Sequence, residues 1–159
     1  MRKLMVFVLT FIAFSTIRAQ ENEKKEAIKN VIDSFFEGLH YGDSSKIRTT
    51  IHKDLKIQTT SSTKDGIKVL RTQKAKDFLI AIANKKPENT YFEKLLSYDI
   101  KIDGNLASVW TPYEFYLNEK FSHCGANSFQ LFDNNGRWEI IYLVDMRRRS
   151  DCIAINPKN

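Results

Sequence analysis

A few side chains in the second half of this 159-residue chain could take part in chemistry near neutral pH. His123 is a candidate because an ordinary histidine titrates in that range, and Asp145 is a second candidate acid or base. The two cysteines and three histidines show no metal-ligand spacing, and the chain has neither a glycine-rich phosphate loop nor a nucleophile elbow. The sequence therefore predicts neither a metal nor a cofactor. Acid–base catalysis and ligand binding remain as the chemistry to consider.

The elements that must position these side chains begin with three predicted helices. The first covers residues 22–41 and is followed by Gly42, a residue suited to a helix C-cap. A second, short helix begins after Asp43, and a third covers residues 73–84 with Thr72 as its N-cap. Helical spacing of apolar residues carries the first assignment: Ile28, Val31, Ile32, Phe35 and Leu39.

Strands dominate the rest of the chain. Two turn sequences, Asp103-Gly104-Asn105 and Asp133-Asn134-Asn135-Gly136, predict long antiparallel hairpins. Helices early and strands late indicate an α+β fold, with three N-terminal helices packed on a strongly curved, mostly antiparallel sheet. The predicted strands are Leu55–Ser62, Ile67–Leu70, Tyr91–Ile102, Leu106–Leu117, Phe121–Phe132 and Arg137–Met146.

Several short motifs are shared with one known superfamily. They are Phe35-Phe36 with Gly38, Val109-Trp110 with Tyr113 and Phe115, His123-Cys124-Gly125, Phe129 with Leu131, and Gly136-Arg137-Trp138-Glu139-Ile140 before Asp145, Arg147 and Cys152. With the order of elements, they resemble the nuclear transport factor 2-like, or cystatin-like, fold, and in particular its small exported bacterial members called lumazine-binding. The resemblance implies a cone with a pocket between sheet and helices. Because the superfamily includes isomerases, dehydratases, cyclases and pure binding modules, the resemblance leaves the chemistry open.

Strand alternation predicts which side chains face this pocket. In the first long hairpin the apolar face is inward and Trp110 lies on the opposite face. In the second, Phe132 is expected to pair with Arg137. The predicted inward polar residues are Tyr98, Thr111, Tyr113, His123, Asn127 and Tyr142.

The same alternation places Asp145 on the outer face, away from His123. That placement argues against a His–Asp dyad, unless a bulge near Gly125 shifts the register. With both residues on the outer face, Arg147 would form a surface ion pair with Asp145.

Three functions are compatible with this pattern. The favoured one is a binding module that holds a small apolar or aromatic molecule inside the cone. A second is an isomerase, cyclase or dehydratase that uses His123 and Tyr113. The third is an interaction protein that has no ligand and forms a homodimer through the face bearing Trp110.

Residues 1–19 are predicted to be a secretory signal peptide. Arg2 and Lys3 precede the apolar run Leu4–Phe14, and Ala19 offers a small residue at the cleavage site. The apolar run is well short of the roughly 20 residues needed to cross a bilayer, so stable membrane insertion is not expected.

The remaining residues 20–159 are then expected to form a single domain exported to the periplasm or beyond. Loss of Arg2, Lys3 and Arg18 with the leader lowers the formal net charge from +6 to +3. A chain this weakly cationic is not expected to bind nucleic acid.

Export would place Cys124 and Cys152 where a disulfide can persist. We expect the two cysteines to pair, because the chain can bend back after the last strand. Two free thiols are the alternative.

Overall fold

The structure is a computed structural model that describes residues 2–152, of which residues 2–18 are described only as helical backbone. Within that range it has three helices and seven strands. The elements are α1 Arg2–Tyr41, α2 Ser44–Thr50, β1 Ile51–Ser62, β2 Lys68–Lys74, α3 Ala75–Ala83, β3 Tyr91–Leu95, β4 Asp99–Asp103, β5 Leu106–Leu117, β6 Lys120–Asn134 and β7 Arg137–Arg148.

The predicted signal peptide, residues 1–19, lies outside the residues whose side chains are described, except for Ala19. Its cleavage therefore stays a prediction. No helix among the described residues is long and apolar enough to cross a membrane.

The strands form one sheet in the order β2-β1-β7-β6-β5-β3, and β4 also pairs with β5. All pairs are antiparallel except β1 with β7, which run parallel. The sheet is curled but does not close, and the expected α+β cone is confirmed.

The core lies between the helices and the concave face of this sheet. Phe35 of α1 is 1% exposed. Its ring meets Phe129 of β6 edge-on at 6.2 Å and stacks on Phe78 of α3 at 5.8 Å. One aromatic side chain thus joins two helices to the sheet.

The connection between α1 and α2 follows the sequence signals. Gly42 has a φ of +73°, and the Asp43 carboxylate accepts a hydrogen bond from the Lys46 amide at 2.9 Å. Gly38 allows the two helices to touch, because a Cβ there would lie 2.6 Å from Cγ1 of Ile47.

The start of α3 differs from the prediction. Thr72 was expected to cap this helix, but it belongs to β2 and its hydroxyl accepts a hydrogen bond from Gln58 Nε2 at 3.1 Å. The pairing of β2 with β1 continues to Lys74, because each further residue gains ladder hydrogen bonds. The helix therefore begins at Ala75.

The predicted strand Tyr91–Ile102 is interrupted and forms both β3 and β4. Leu95 pairs with Tyr113, whereas Asp99 pairs with Trp110. The chain therefore advances four residues from Leu95 to Asp99 while β5 advances three, which leaves one extra residue between β3 and β4. Between them the Leu96 amide donates to the carbonyl of Pro112 at 2.9 Å. The backbone nitrogen and carbonyl of a strand residue point the same way, so Pro112 lacks an N–H donor on the side of β5 that faces β3 and β4. Because of this extra residue, the odd-numbered residues of β3 face the concave side, whereas in β4 the even-numbered residues do.

The hairpin between β6 and β7 is tighter than expected. Asn134, not Phe132, pairs with Arg137. The turn consists of Asn135 and Gly136, with φ values of +54° and +90°. Two central residues with positive φ are typical of the turn that best matches strand twist. A shift of two residues leaves the faces unchanged, so this error alone would have no effect on the pocket.

A one-residue bulge in the same hairpin does exchange the faces. Leu131 pairs with Ile140, but the adjacent Gln130 pairs with Tyr142, which leaves Ile141 as the extra residue. Beyond this point the odd residues of β7 face inward.

The prediction that Tyr142 faces inward is therefore wrong, as is the outward placement of Asp145 and Arg147. Tyr142 lies on the outer face, where its hydroxyl donates a hydrogen bond to the amide oxygen of Gln58. A bulge near Gly125 was the event expected to bring Asp145 inward; the bulge is instead at Ile141 of β7, opposite Gln130 and Leu131.

Candidate binding site

Five strands bring polar side chains together at one end of the concave face. We call Thr59, Glu93, Tyr113, Asn127 and Asp145 the inner polar cluster; they lie on β1, β3, β5, β6 and β7. Register explains the convergence, because Asp145 pairs with Thr59 on one side and with Asn127 on the other. Most of the remaining concave face is apolar.

Asp145 is the most connected member of the cluster. Its side chain is 9% exposed. It accepts hydrogen bonds from the Thr59 hydroxyl at 2.5 Å and from the Tyr113 hydroxyl at 3.3 Å. Arg147 forms an ion pair with it through Nε at 2.5 Å. These three partners hold the Asp145 side chain in one position on the concave face.

Glu93 provides a second, partly buried carboxyl group in the cluster. Its Oε1 accepts a hydrogen bond from Asn127 Nδ2 at 2.7 Å, and its backbone amide donates to His40 Nε2 at 2.9 Å. Burial raises the pKa of Glu93 to about 7, and the charge of Asp145 acts in the same direction. Glu93 is therefore divided between its neutral and charged forms near neutral pH.

His123 lies beside the cluster in an aromatic setting. Its ring stacks on Phe115 at 4.8 Å and meets Tyr113 edge-on at 5.8 Å, and its Nδ1 lies 3.1 Å from the Ser122 hydroxyl. Burial lowers the pKa of His123 to about 4, and the positive charge of Arg147 adds to this effect. At neutral pH the His123 imidazole is therefore uncharged and lies against the Phe115 ring. No hydrogen bond among the described residues joins it to Asp145.

Gly125 makes the close packing at this end possible. A Cβ there would lie 1.7 Å from the Met146 carbonyl oxygen and 3.0 Å from the Tyr113 hydroxyl. The absence of a side chain therefore allows Tyr113 to reach across β6 toward Asp145.

The predicted site residues are divided among three places. Tyr113 and Asn127 belong to the inner polar cluster, His123 lies beside it, and Thr111 is fully buried next to Asn127. Tyr142 lies on the outer face, hydrogen-bonded to Gln58. Tyr98 faces inward but lies elsewhere, where its hydroxyl bonds to Asp33 of α1 and Lys29 lies 5.0 Å from its ring centroid.

A family profile described as "Putative lumazine-binding" matches residues 23–144, which is more than half of the chain. The chain belongs to this family. No curated protein matches it significantly.

Solved structures similar to this lumazine-binding family member share its fold at low sequence identity. An NTF2-like protein of unknown function from Shewanella baltica OS155 is 17% identical, with 80% of this chain and 96% of that chain covered and a TM-score of 0.59. A protein with a cystatin-like fold from Nostoc punctiforme is 15% identical, with 79% and 92% covered and a TM-score of 0.60. A putative dehydratase of the NTF2-like family from Streptomyces avermitilis is 8% identical, with 80% and 98% covered and a TM-score of 0.62. The resemblance to the nuclear transport factor 2-like fold is thus confirmed.

Sequence reasoning missed two members of the cluster, Glu93 and Thr59. The sequence predicts Tyr91–Ile102 as one strand, and in one strand the odd-numbered residues, Glu93 among them, would lie on the outer face. Pro112 was the available signal, since a proline in a central strand predicts an interruption in the strand beside it. No comparable signal identified Thr59, because its position depends on the parallel pairing of β1 with β7.

The predicted disulfide is present. Cys124 and Cys152 are bonded, with their Cα atoms 5.8 Å apart. Cys124 lies on the outer face opposite Arg148. The predicted pairing of Phe132 with Arg137 would place Asp145 there; the tighter turn accounts for two of the three positions of difference and the bulge for the third. The bridge attaches the residues after β7 to β6.

No group of three His, Cys, Asp or Glu side chains in the described part of the chain could hold a metal ion.

Proposed function

We propose that this lumazine-binding family member binds a small, flat, largely apolar molecule against the inner polar cluster. The observation that carries the proposal is the convergence of polar side chains from five strands at one end of an otherwise apolar concave face. A few polar groups on an apolar wall are typical of small-molecule sites, where the apolar part supplies affinity and the polar groups fix orientation.

Aromatic side chains next to the cluster favour a ring as the ligand. Tyr91 and Phe115 lie 5.9 Å apart, and Phe115 and His123 lie 4.8 Å apart. All three are partly buried, so they form the boundary between the closed cluster and solvent. A flat molecule stacked on this row would place its polar atoms near Asn127 and Glu93.

A matched pair of tyrosine variants tests this site. Tyr113 is buried in the cluster, whereas Tyr142 is hydrogen-bonded on the outer face. A lumazine is a suitable first probe, since the family carries that name and pteridine fluorescence reports binding. Tyr113→Phe should weaken binding about 5- to 30-fold, because a buried polar partner is worth about 1–2 kcal/mol. His123→Ala should also weaken it.

Tyr142→Phe should leave the affinity unchanged. Equal affinities of the wild type and the Tyr113→Phe variant would contradict the proposed site. If lumazine does not bind, native mass spectrometry of the purified protein would show whether another small molecule is bound, and the same variants would then be tested with that molecule.

Acid–base catalysis is a second candidate, favoured by the carboxyl of Glu93. A group with a pKa near 7, next to a carboxylate that is held by donors, is suited to accept and return a proton. Tyr113 and Asn127 could donate hydrogen bonds to an oxygen that gains charge. Glu93→Gln should then abolish turnover while ligand affinity is retained.

Self-association through the outer face is part of the proposal. Trp110, Phe92 and Phe121 are each about half exposed there. Exposed aromatic side chains on one sheet face favour burial against a second copy of the chain. We also infer that the protein is exported, on the strength of the leader pattern in residues 1–19.

A further inference from the structure

A cleft of about 580 Å³ lies away from the inner polar cluster. It is formed by the junction of α2 with β1, the start of α3 and the turn between β6 and β7. The inner polar cluster lies toward the other end of the β6–β7 hairpin, so the two sites share no residue. The volume is within the range of small-molecule pockets, about 300–1,000 Å³.

Basic side chains dominate the polar lining of this cleft. Arg48, Lys53, Lys76 and Arg137 line it, against the single acid Glu139. Glu139 is 4% exposed and is already paired with Arg137. Its charge is therefore neutralised locally and does not cancel the field of the other cations.

Two of these cations are available to a ligand. Lys53 is paired with Asp54 at 2.5 Å. Arg48 and Lys76, by contrast, form no ion pair within the described part of the chain, and both are exposed at the cleft. An anion that binds between them would replace water on two charges that the protein leaves uncompensated.

The floor of the cleft is apolar. Ile51 and Leu79 are buried beneath it, and Ala75 lies at its side. Ala75 also begins α3, whose first turn carries one acidic residue, Asp77, outside the lining of the cleft. The apolar floor and the basic rim together favour a molecule that has an apolar body and a negative charge.

We propose that this cleft binds an amphipathic organic anion, with its apolar body on Ile51 and Leu79 and its acidic group between Arg48 and Lys76. This site is independent of the inner polar cluster. A neutral apolar molecule would lose the charge contribution, and a small inorganic anion would lose the contact with the floor.

Two probes that differ only in a charged group separate these contributions. 1-Anilinonaphthalene-8-sulfonate carries a sulfonate, and N-phenyl-1-naphthylamine has the same rings without it. In fluorescence titrations at low salt, the sulfonate should bind at least tenfold more tightly. The double variant Arg48→Gln/Lys76→Gln should weaken sulfonate binding about tenfold and leave the affinity of the neutral probe unchanged.

The control variant is Arg71→Gln/Lys120→Gln, which removes the same two charge types from exposed positions outside the cleft. It should bind both probes as the wild type does. Equal weakening in the two double variants would show a general charge effect and overturn the proposal.

Amide chemical shifts of the wild type locate the probe without any substitution. The sulfonate should shift the amides of His52, Ala75 and Lys76. Shifts confined to the outer face around Trp110, or to His123 and Phe115, would overturn the proposal. His52, Ala75 and Lys76 border the cleft and none belongs to the inner polar cluster, so failure of the inner site and failure of this cleft are distinguishable.

Discussion

At the scale of single residues, the most informative group is the carboxyl of Glu93. Burial raises its pKa to about 7 in the folded protein, against 4.5 for an ordinary glutamate. Well below pH 4.5 the group is neutral in both the folded and the unfolded state. As the pH rises to 7 the unfolded chain ionises first, so the folded state loses stability over this range.

Glu93→Gln should remove that loss while the side-chain oxygen still accepts from Asn127. We expect the free energy of unfolding of the variant, relative to the wild type, to be higher at pH 8 than at pH 5 by on the order of 2 kcal/mol. Urea unfolding at the two pH values measures this difference. The exposed Glu88→Gln is the control, and an equal pH difference in both variants would refute the assignment.

His123 acts in the opposite direction. Because burial lowers its pKa to about 4, the stability it contributes is lost as the pH falls from 6.5 toward 4. This contribution is the same in the wild type and in the Glu93→Gln variant, so it cancels from the comparison.

At the scale of elements, the disulfide determines how the chain after β7 is held. Cys124 and Cys152 are separated by 28 positions, and closing a loop of this length stabilises a fold by about 3 kcal/mol on the chain-entropy model. The bridge fixes residues 149–152 on the outer side of β6.

Cys152→Ala should therefore lower the free energy of unfolding by about 3 kcal/mol, because it removes the bridge and leaves the buried side chain of Cys124 in place. Ser150→Ala is the control and should have little effect. Urea unfolding with and without a reducing agent measures both. A wild type whose stability does not change on reduction would show that the bridge adds nothing.

At the scale of the whole molecule, the exposed aromatic face should govern self-association. Trp110 is 51% exposed on the outer face of β5. Trp110→Glu should convert a dimer to a monomer in sedimentation velocity, since a buried charge without a partner is costly at an interface. A wild type that is monomeric at all concentrations would contradict the dimer.

Export is the second expectation at this scale. The mature protein should begin at Gln20, because cleavage after Ala19 follows the apolar run. Amino-terminal sequencing of the secreted or periplasmic protein checks this, and a chain that still begins with Met1 would exclude cleavage.

Local chemistry in the sequence was sufficient for much of the fold. The apolar stripe that includes Ile28 and Phe35 determined the buried face of α1, and Asp43 determined the start of α2. The face of β5 that carries Val109 and Tyr113 was likewise predicted correctly, because alternation along an uninterrupted strand is a local property.

The candidate site depended on features that are not local. A single extra residue at Ile141 turned Asp145 inward and Tyr142 outward, and the missing N–H of Pro112 turned Glu93 inward. In both places the side-chain period is two, so one added residue exchanges every side chain that follows. Whether a strand can hold an extra residue depends on the neighbouring strand with which it pairs. The sequence by itself thus determined the elements and the apolar wall, and only the tertiary structure decided which carboxyl groups meet there.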